Sequence, residues 1–217
     1  MKVAVLGTGM VGNTIGSKLI QLGHEVKMGS RTATNEKAAE WAAANGASAT
    51  QGTFAEAAAF GELVFNCAKG DVSVAVLGLA QAENLAGKVV IDVSNPLDFT
   101  GGIPPTLSVC NGNSLAEEIQ AAFPDARVVK TLNTMWCGLM VNPALVNGSD
   151  HSVFVSGNDA GAKANVHDLL VSFGWLAHNI IDLGDITTAR GPEMYLPLWL
   201  RVMGATNSGA FNIKIVS

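Results

Sequence analysis

Short unbroken apolar runs alternate along this chain with longer segments in which apolar positions recur every three or four residues. Val3-Ala4-Val5-Leu6 is apolar throughout and stops at Gly7, as expected of a central strand buried on both faces. The spacing then predicts a helix from Val11 to Leu22, closed by Gly23 in the left-handed position that ends many helices. Glu25-Val26-Lys27-Met28 reads as a second strand, and Thr34 to Asn45 as an alanine-rich helix followed by Gly46. Leu63 to Cys67 and Val89 to Val93 read as two further buried strands, with a helix near Val72–Ala82 between them. Strands alternating with helices in this way predict a parallel sheet covered on both sides.

Pro96 to Asn113 contains Pro96, the pair Gly101-Gly102 and the pair Pro104-Pro105, so a long ordered loop is expected there. Helical spacing resumes over Ser114–Phe123. Arg127–Leu132 reads as a strand, Ser152–Ser156 and Asp159–Phe173 as a strand and helix, and Leu176–Leu183 as a last strand. Pro192 and Pro197 argue against one straight helix over Asp185–Val202. The expected class is α/β: a Rossmann-type doubly wound, mostly parallel sheet with a small C-terminal extension. With no repeat or linker visible, residues 1–217 are expected to form one unit, residues 1–150 being a dinucleotide-binding core and 151–217 an extension completing the pocket.

Composition narrows the function. Hydrophobic residues make up 48% of the chain and charged residues only 14%, enough apolar material for a large core. Thirteen basic and eighteen acidic residues give a net charge of −5, with neither sign gathered into a block, so nucleic acid is not an expected partner. The chain runs from Met1 straight into an apolar strand without signal-peptide features, and no apolar run is long enough to span a bilayer. A soluble cytoplasmic protein without a membrane partner is therefore expected. Cys67, Cys110 and Cys137 are too scattered for a disulfide framework or zinc motif and read as reduced, mostly buried thiols. No metal site is expected.

Gly7-Thr8-Gly9-Met10-Val11-Gly12 is a G-x-G-x-x-G pattern standing where its mechanism requires, after a first strand and opening a helix. Gly7 permits a tight turn, Gly9 lets backbone approach a pyrophosphate, and Gly12 lets the helix pack on the strand with its N-terminus toward the phosphates. A dinucleotide is the predicted ligand. NAD enzymes place a carboxylate against the ribose 2′-hydroxyl after the second strand; this chain has Met28-Gly29-Ser30-Arg31-Thr32. A guanidinium flanked by hydroxyls suits a 2′-phosphate, so NADP is the expected cofactor, held by Ser30, Arg31 and Thr32, with Lys37 one helical turn beyond.

At the carboxyl ends of later strands stand Asn66-Cys67-Ala68-Lys69, Ser94-Asn95-Pro96-Leu97 and Thr131-Leu132-Asn133-Thr134. Their small and amide residues can bond a ribose or carboxamide without placing charge on a nicotinamide. No Ser/His/Asp order, H-E-x-x-H or catalytic lysine motif is evident, and no catalytic residue is assigned. His24, His151, His167 and His178 occupy unrelated settings and read as surface or hydrogen-bonded histidines, His151 being the one to inspect first. Met135, Trp136 and Met140, just beyond Asn133, either wall an aromatic acceptor or belong to the core.

With Gly7–Gly12, Gly29-Ser30-Arg31, Asp92-Val93-Ser94-Asn95-Pro96-Leu97 and Val129-Lys130-Thr131-Leu132-Asn133-Thr134, the chain resembles the NADPH-dependent coenzyme F420 reductases. The wider bacterial dinucleotide-binding group around them is also similar, as is the reductase domain of the STEAP metalloreductases. The resemblance extends through Asp182-Leu183-Gly184 to Arg190. It implies an NADP-binding fold, usually dimeric, in which a deazaflavin stacks on the nicotinamide. Thr8, Met10 and Val11 would line the phosphate loop, Ser30 and Arg31 would hold the 2′-phosphate, and Ala68, Asn95 and Asn133 would lie near the nicotinamide. The chain departs from the family in having Thr32 and a gap before Lys37 where another basic residue is expected. Two other readings are an NADP-dependent dehydrogenase or reductase of a small hydroxy acid or imine, and a non-enzymatic NADP(H) sensor.

Overall fold

The computed structural model describes residues 1–216. The first half of the chain runs β1 (Lys2–Leu6), α1 (Met10–Gln21), β2 (Glu25–Ser30), α2 (Glu36–Asn45), β3 (Ala49–Thr53), α3 (Phe54–Phe60), β4 (Leu63–Asn66), α4 (Ser73–Leu79), α5 (Ala82–Leu85) and β5 (Val89–Asp92). A small hairpin, β6 (Leu97–Asp98) with β7 (Thr106–Leu107), precedes α6 (Leu115–Ala122), β8 (Arg127–Thr131) and α7 (Cys137–Val141). The chain continues with β9 (Val153–Gly157), α8 (Ala160–Phe173), β10 (Ile180–Gly184), α9 (Arg190–Met194) and α10 (Leu196–Thr206).

Eight strands form one sheet in the order β10-β9-β8-β5-β4-β1-β2-β3. All neighbours from β3 to β8 are parallel; β9 runs antiparallel to β8, and β10 is parallel to β9. The chain lays β2 and β3 on one side of β1 and returns to lay β4, β5 and β8 on the other, so a crevice opens beside the carboxyl ends of β1 and β4. The expected doubly wound, mostly parallel sheet is thus present. Its C-terminal extension contributes the reversed pair β9 and β10 to the same sheet.

Alternation along each strand divides the core in two. Val3, Val5, Phe65, Ile91 and Val129 meet Ile15, Leu19, Trp41 and Phe173 on one face. Ala4, Leu6, Val64, Val90 and Val128 meet Phe54, Leu77, Leu115 and Ile119 on the other. Each such large side chain stabilises the fold by roughly 1.5–3 kcal/mol when removed from water.

The structure differs from the sequence reading in four places. It adds β3 and α3, whose polar edge sequence Thr50-Gln51-Gly52-Thr53 carries no buried-strand signal. The proline-rich loop contains the β6–β7 hairpin. The last strand starts at Ile180 because Ala177–Asn179 forms a 3-10 turn. Cys137 is buried, but Cys67 is half-buried and Cys110 exposed, so the thiols are free without being mostly buried. Asp185–Val202 is broken as expected: a 3-10 turn at Ile186–Ala189 precedes α9 and α10, and Pro197 occupies the first turn of α10, where its missing N–H costs nothing. Among the described residues no helix is long and apolar enough to cross a membrane.

Candidate active site

The glycine loop connects β1 to α1 at the crevice. Gly7 has φ +128°, and a Cβ there would lie 2.7 Å from the Cys67 carbonyl oxygen, so the turns after β1 and β4 touch through it. A Cβ on Gly12 would stand 2.1 Å from the Gly7 carbonyl oxygen. Gly9 is different: no protein atom lies within 4 Å of where its Cβ would be. Packing therefore explains Gly7 and Gly12, while the bare backbone at Gly9 borders open space. Gly9 is also the N-cap of α1, without a side-chain cap, and no acidic residue stands in the first turn. A helix start with free amides and a positive dipole end is built for an anion. Gly9, Thr8 and Met10 share an open groove of about 590 Å³ with Asn13, Thr14, Lys37 and Trp41.

At the end of β2, Ser30 is buried and donates its hydroxyl to the Thr32 carbonyl at 2.6 Å, which shapes the turn presenting Arg31. Arg31 and Thr32 are exposed, and Arg31 makes no ion pair among the described residues. Asn35 caps α2 by accepting from the Ala38 amide at 3.0 Å, placing Lys37 in the first turn of a helix that borders the same groove as the glycine loop. The 2′-phosphate candidates and the glycine loop thus share one end of the sheet. The bare backbone at Gly9, the uncapped α1 and the uncommitted guanidinium fit a pyrophosphate joined to a 2′-phosphorylated ribose.

Across the crevice, β4, β5 and β8 carry a row of polar residues in register: Asn66 beside Asp92, and Asp92 beside Lys130. All three are essentially inaccessible. Asp92 Oδ1 accepts from Asn66 Nδ2 at 2.8 Å, from the Ser94 hydroxyl at 2.6 Å and from the Ser94 amide at 3.2 Å. Its Oδ2 pairs with Lys130 Nζ at 2.7 Å. Lys130 also donates to the Ser94 carbonyl at 2.6 Å and pairs with Glu193 of α9 at 2.8 Å. Glu193 in turn accepts from the Leu115 and Ala116 amides at the start of α6. Burial alone would lower the Lys130 pKa, but the two carboxylates outweigh it and hold the ammonium above its ordinary value. Burial of the thiol, with Asp92 adding, pushes the Cys67 pKa well above its ordinary value.

Beyond this row, Asn95 and Asn133 meet. Asn95 Nδ2 donates to the Asn133 carbonyl at 2.8 Å, and Asn133 Nδ2 donates to Asn95 Oδ1 at 2.9 Å. Leu132, with φ +62° and almost no exposure, turns the chain between β8 and Asn133 at a cost of roughly 1–2 kcal/mol. Ala68 donates its amide to Asn66 Oδ1 at 3.3 Å and lies against Gly7.

The structure therefore gathers Gly7, Thr8, Gly9, Met10, Val11 and Gly12 on one side of the crevice, Ser30, Arg31, Thr32 and Lys37 at its outer end, and Ala68, Asn95 and Asn133 opposite. Met135 and Met140 belong to the core; Trp136 alone of that trio is open, 40% exposed at the N-cap of α7. His151 is buried, with Nε2 2.9 Å from the Pro143 carbonyl and Nδ1 2.7 Å from Asn212 Nδ2, a structural role. Sequence reasoning missed the Asp92–Lys130–Glu193 network. Its signal was a charge inside each of two runs, Val89-Val90-Ile91-Asp92 and Val128-Val129-Lys130, that should be buried on both faces and therefore need partners.

Fold and site together define a dinucleotide-binding oxidoreductase of the Rossmann class. Residues 2–96 match the family described as "NADP oxidoreductase coenzyme F420-dependent". Over the full length of both chains, the protein is 52% identical to a candidate F420-dependent NADP reductase of Arthrobacter sp. FB24, whose crystal structure superposes with a TM-score of 0.94. The chain belongs to this coenzyme F420-dependent NADP oxidoreductase family, and is an enzyme whose cofactor is NADP. It is also 29% identical over 205 residues to the metalloreductase STEAP3 of Rattus norvegicus, covering 91% of this chain and 38% of that protein. The chain thus spans well under half the length of that relative. An imine reductase of Bacillus cereus BAG3X2, at 20% identity and TM-score 0.63 over 95% of this chain and 62% of its own, shares the fold.

Proposed function

We propose that this protein passes hydride between NADP(H) and a deazaflavin of the coenzyme F420 type or a similar flavin-like acceptor. The observation carrying this reading is the neutral amide pair Asn95–Asn133 at the crevice, with the nearby charges of Asp92 and Lys130 already bound to one another behind it. Hydride transfer between two stacked rings needs near-attack distances of about 3–3.5 Å but no strong acid or base. Bound NADPH would supply the hydride. Thr8, Met10, Val11 and the three loop glycines would hold the pyrophosphate, Ser30, Arg31, Thr32 and Lys37 the 2′-phosphate, and Ala68, Asn95 and Asn133 would orient the nicotinamide half.

In the same reading, residues 1–150 bind the dinucleotide, and 151–217 complete the acceptor side near Trp136, where Gly209 lies between the Trp136 Cβ and the Trp199 indole. The dimer that the resemblance implies would cover the exposed apolar side chains Phe99, Ile103 and Leu198. Sedimentation as a monomer at micromolar concentration would overturn that part. The activity is tested by following NADPH oxidation with coenzyme F420, FMN, a ferric chelate and a cyclic imine in parallel. Turnover with F420 exceeding the others by about tenfold or more, a gap of roughly 1.4 kcal/mol in activation free energy, is expected. Micromolar NADPH binding without turnover of F420 or FMN would sink the proposal.

A further inference from the structure

We infer that Lys130 is a positioning residue, whose ammonium sets the angle at which Asn95 and Asn133 face the nicotinamide half of the cofactor; the inference rests on the NADP-binding reading above. An ammonium has three hydrogens, and those of Lys130 go to Asp92, Glu193 and the Ser94 carbonyl. Ser94 is consequently held at every polar atom: its amide and hydroxyl donate to Asp92, and its carbonyl accepts from Lys130. The next residue is Asn95. Behind it the chain is equally confined, since a Cβ on Gly70 would lie 1.9 Å from the Asn95 carbonyl oxygen.

Asn133 is fixed from the same root. Lys130 and Asn133 are three residues apart on the exit of β8, and the Asn133 amide closes a two-bond ring with Asn95. One side chain anchored in β8 thus clamps the exit of β5, and the reciprocal amide pair ties the two exits together above it. Stability alone gives no reason for charges here, because buried ion networks are commonly matched or exceeded by apolar side chains of similar volume. Direction does give a reason. An apolar replacement fills space but leaves the Ser94 carbonyl free to rotate, and with it the plane of the Asn95 amide.

The network also reaches past the sheet. Glu193 accepts from the first two amides of α6 while pairing with Lys130, so α9 in the C-terminal extension bears on the same ammonium that orients the pocket. The extension therefore acts on cofactor geometry through Lys130.

The test compares two ligands. Adenosine 2′,5′-bisphosphate occupies only the outer half of the site, whereas NADPH also needs the amide pair. Four variants are measured with the full chain: Lys130→Met; Asp92→Asn/Lys130→Met, which leaves no unpaired carboxylate at 92; Ser94→Ala, which keeps every charge; and the conservative Lys130→Arg. For Lys130→Met and the double variant the dissociation constant for NADPH should rise about tenfold, and for Ser94→Ala about threefold, while that of the bisphosphate stays within about twofold. The fluorescence of bound NADPH should shift toward that of the free nucleotide in the same order, and Lys130→Arg should recover part of it. Equal weakening of both ligands, or unchanged NADPH affinity and fluorescence in Ser94→Ala and any other folded variant, would overturn the role. Ligand asymmetry in the variants, with no acceptor reduced by the unaltered chain, would defeat the proposed hydride transfer and leave the positioning role intact.

Discussion

Two glycines of one loop, Gly9 and Gly12, show how a single motif mixes requirements of packing and of ligand. Gly12→Ala drives a methyl group into the Gly7 carbonyl, a backbone atom that cannot step aside. The expected loss is on the order of 3 kcal/mol, a fall of about 6–12 °C in Tm by calorimetry for a chain of this size. Gly9→Ala meets nothing and should melt within about 2 °C of the parent, yet bind NADPH more weakly. A Gly9→Ala protein with full NADPH affinity would show that the pyrophosphate does not approach that backbone. Arg31 carries the complementary prediction. It is exposed and unpaired among the described residues, so Arg31→Ala should leave stability unchanged and weaken NADPH by about 2 kcal/mol, roughly thirtyfold. NADH, lacking the 2′-phosphate, should bind within about twofold of the parent; equal loss of both would remove Arg31 from the phosphate site.

At the scale of elements, α6 is held at its N-terminus by the C-terminal extension as much as by its own cap. Ser114 accepts from the Glu117 amide, Arg190 forks onto the Glu117 carboxylate, and Glu193 takes the first two amides. The Lys130 link in this assembly has a pH signature. Because its folded pKa lies above the unfolded value near 10.5, its contribution is complete below that pH and declines as pH rises through the folded pKa. Denaturant melts between pH 9 and 11.5 should therefore show a stability loss that the Asp92→Asn/Lys130→Met protein lacks. Parallel declines in both would assign the loss to other groups. The elements also show what was readable in the chain. The buried strands announced themselves as apolar runs and the helix ends as Gly23 and Gly46. Strand β3 did not, because an edge strand has one neighbour and needs few apolar residues; only the capping box joining Thr53 and Glu56 marked the start of α3.

For the whole molecule, the sheet order brings to one crevice two groups that lie far apart in sequence, the glycine loop near residue 10 and the amide pair at 95 and 133, which the proposed function makes the two halves of the cofactor site. A ligand spanning both should stabilise the folded chain by mass action. At one hundred times its dissociation constant NADP is expected to contribute about 2.7 kcal/mol, raising Tm by about 5–10 °C. NAD at the same concentration should raise it by far less, and equal shifts in a thermal scan would contradict the preference for a 2′-phosphate.

The sequence by itself determined the glycine turn after β1, the cofactor class and the strands beside it, because these depend on short-range signals: glycines at fixed offsets, an arginine just after a strand, unbroken apolar runs. Only the tertiary structure decided which charges answer one another. Asp92, Lys130 and Glu193 come from β5, β8 and α9, and no local pattern states that a lysine inside one apolar strand meets an aspartate in the next and a glutamate about sixty residues later. That pairing follows from strand order and register, set by the burial of both faces of the sheet.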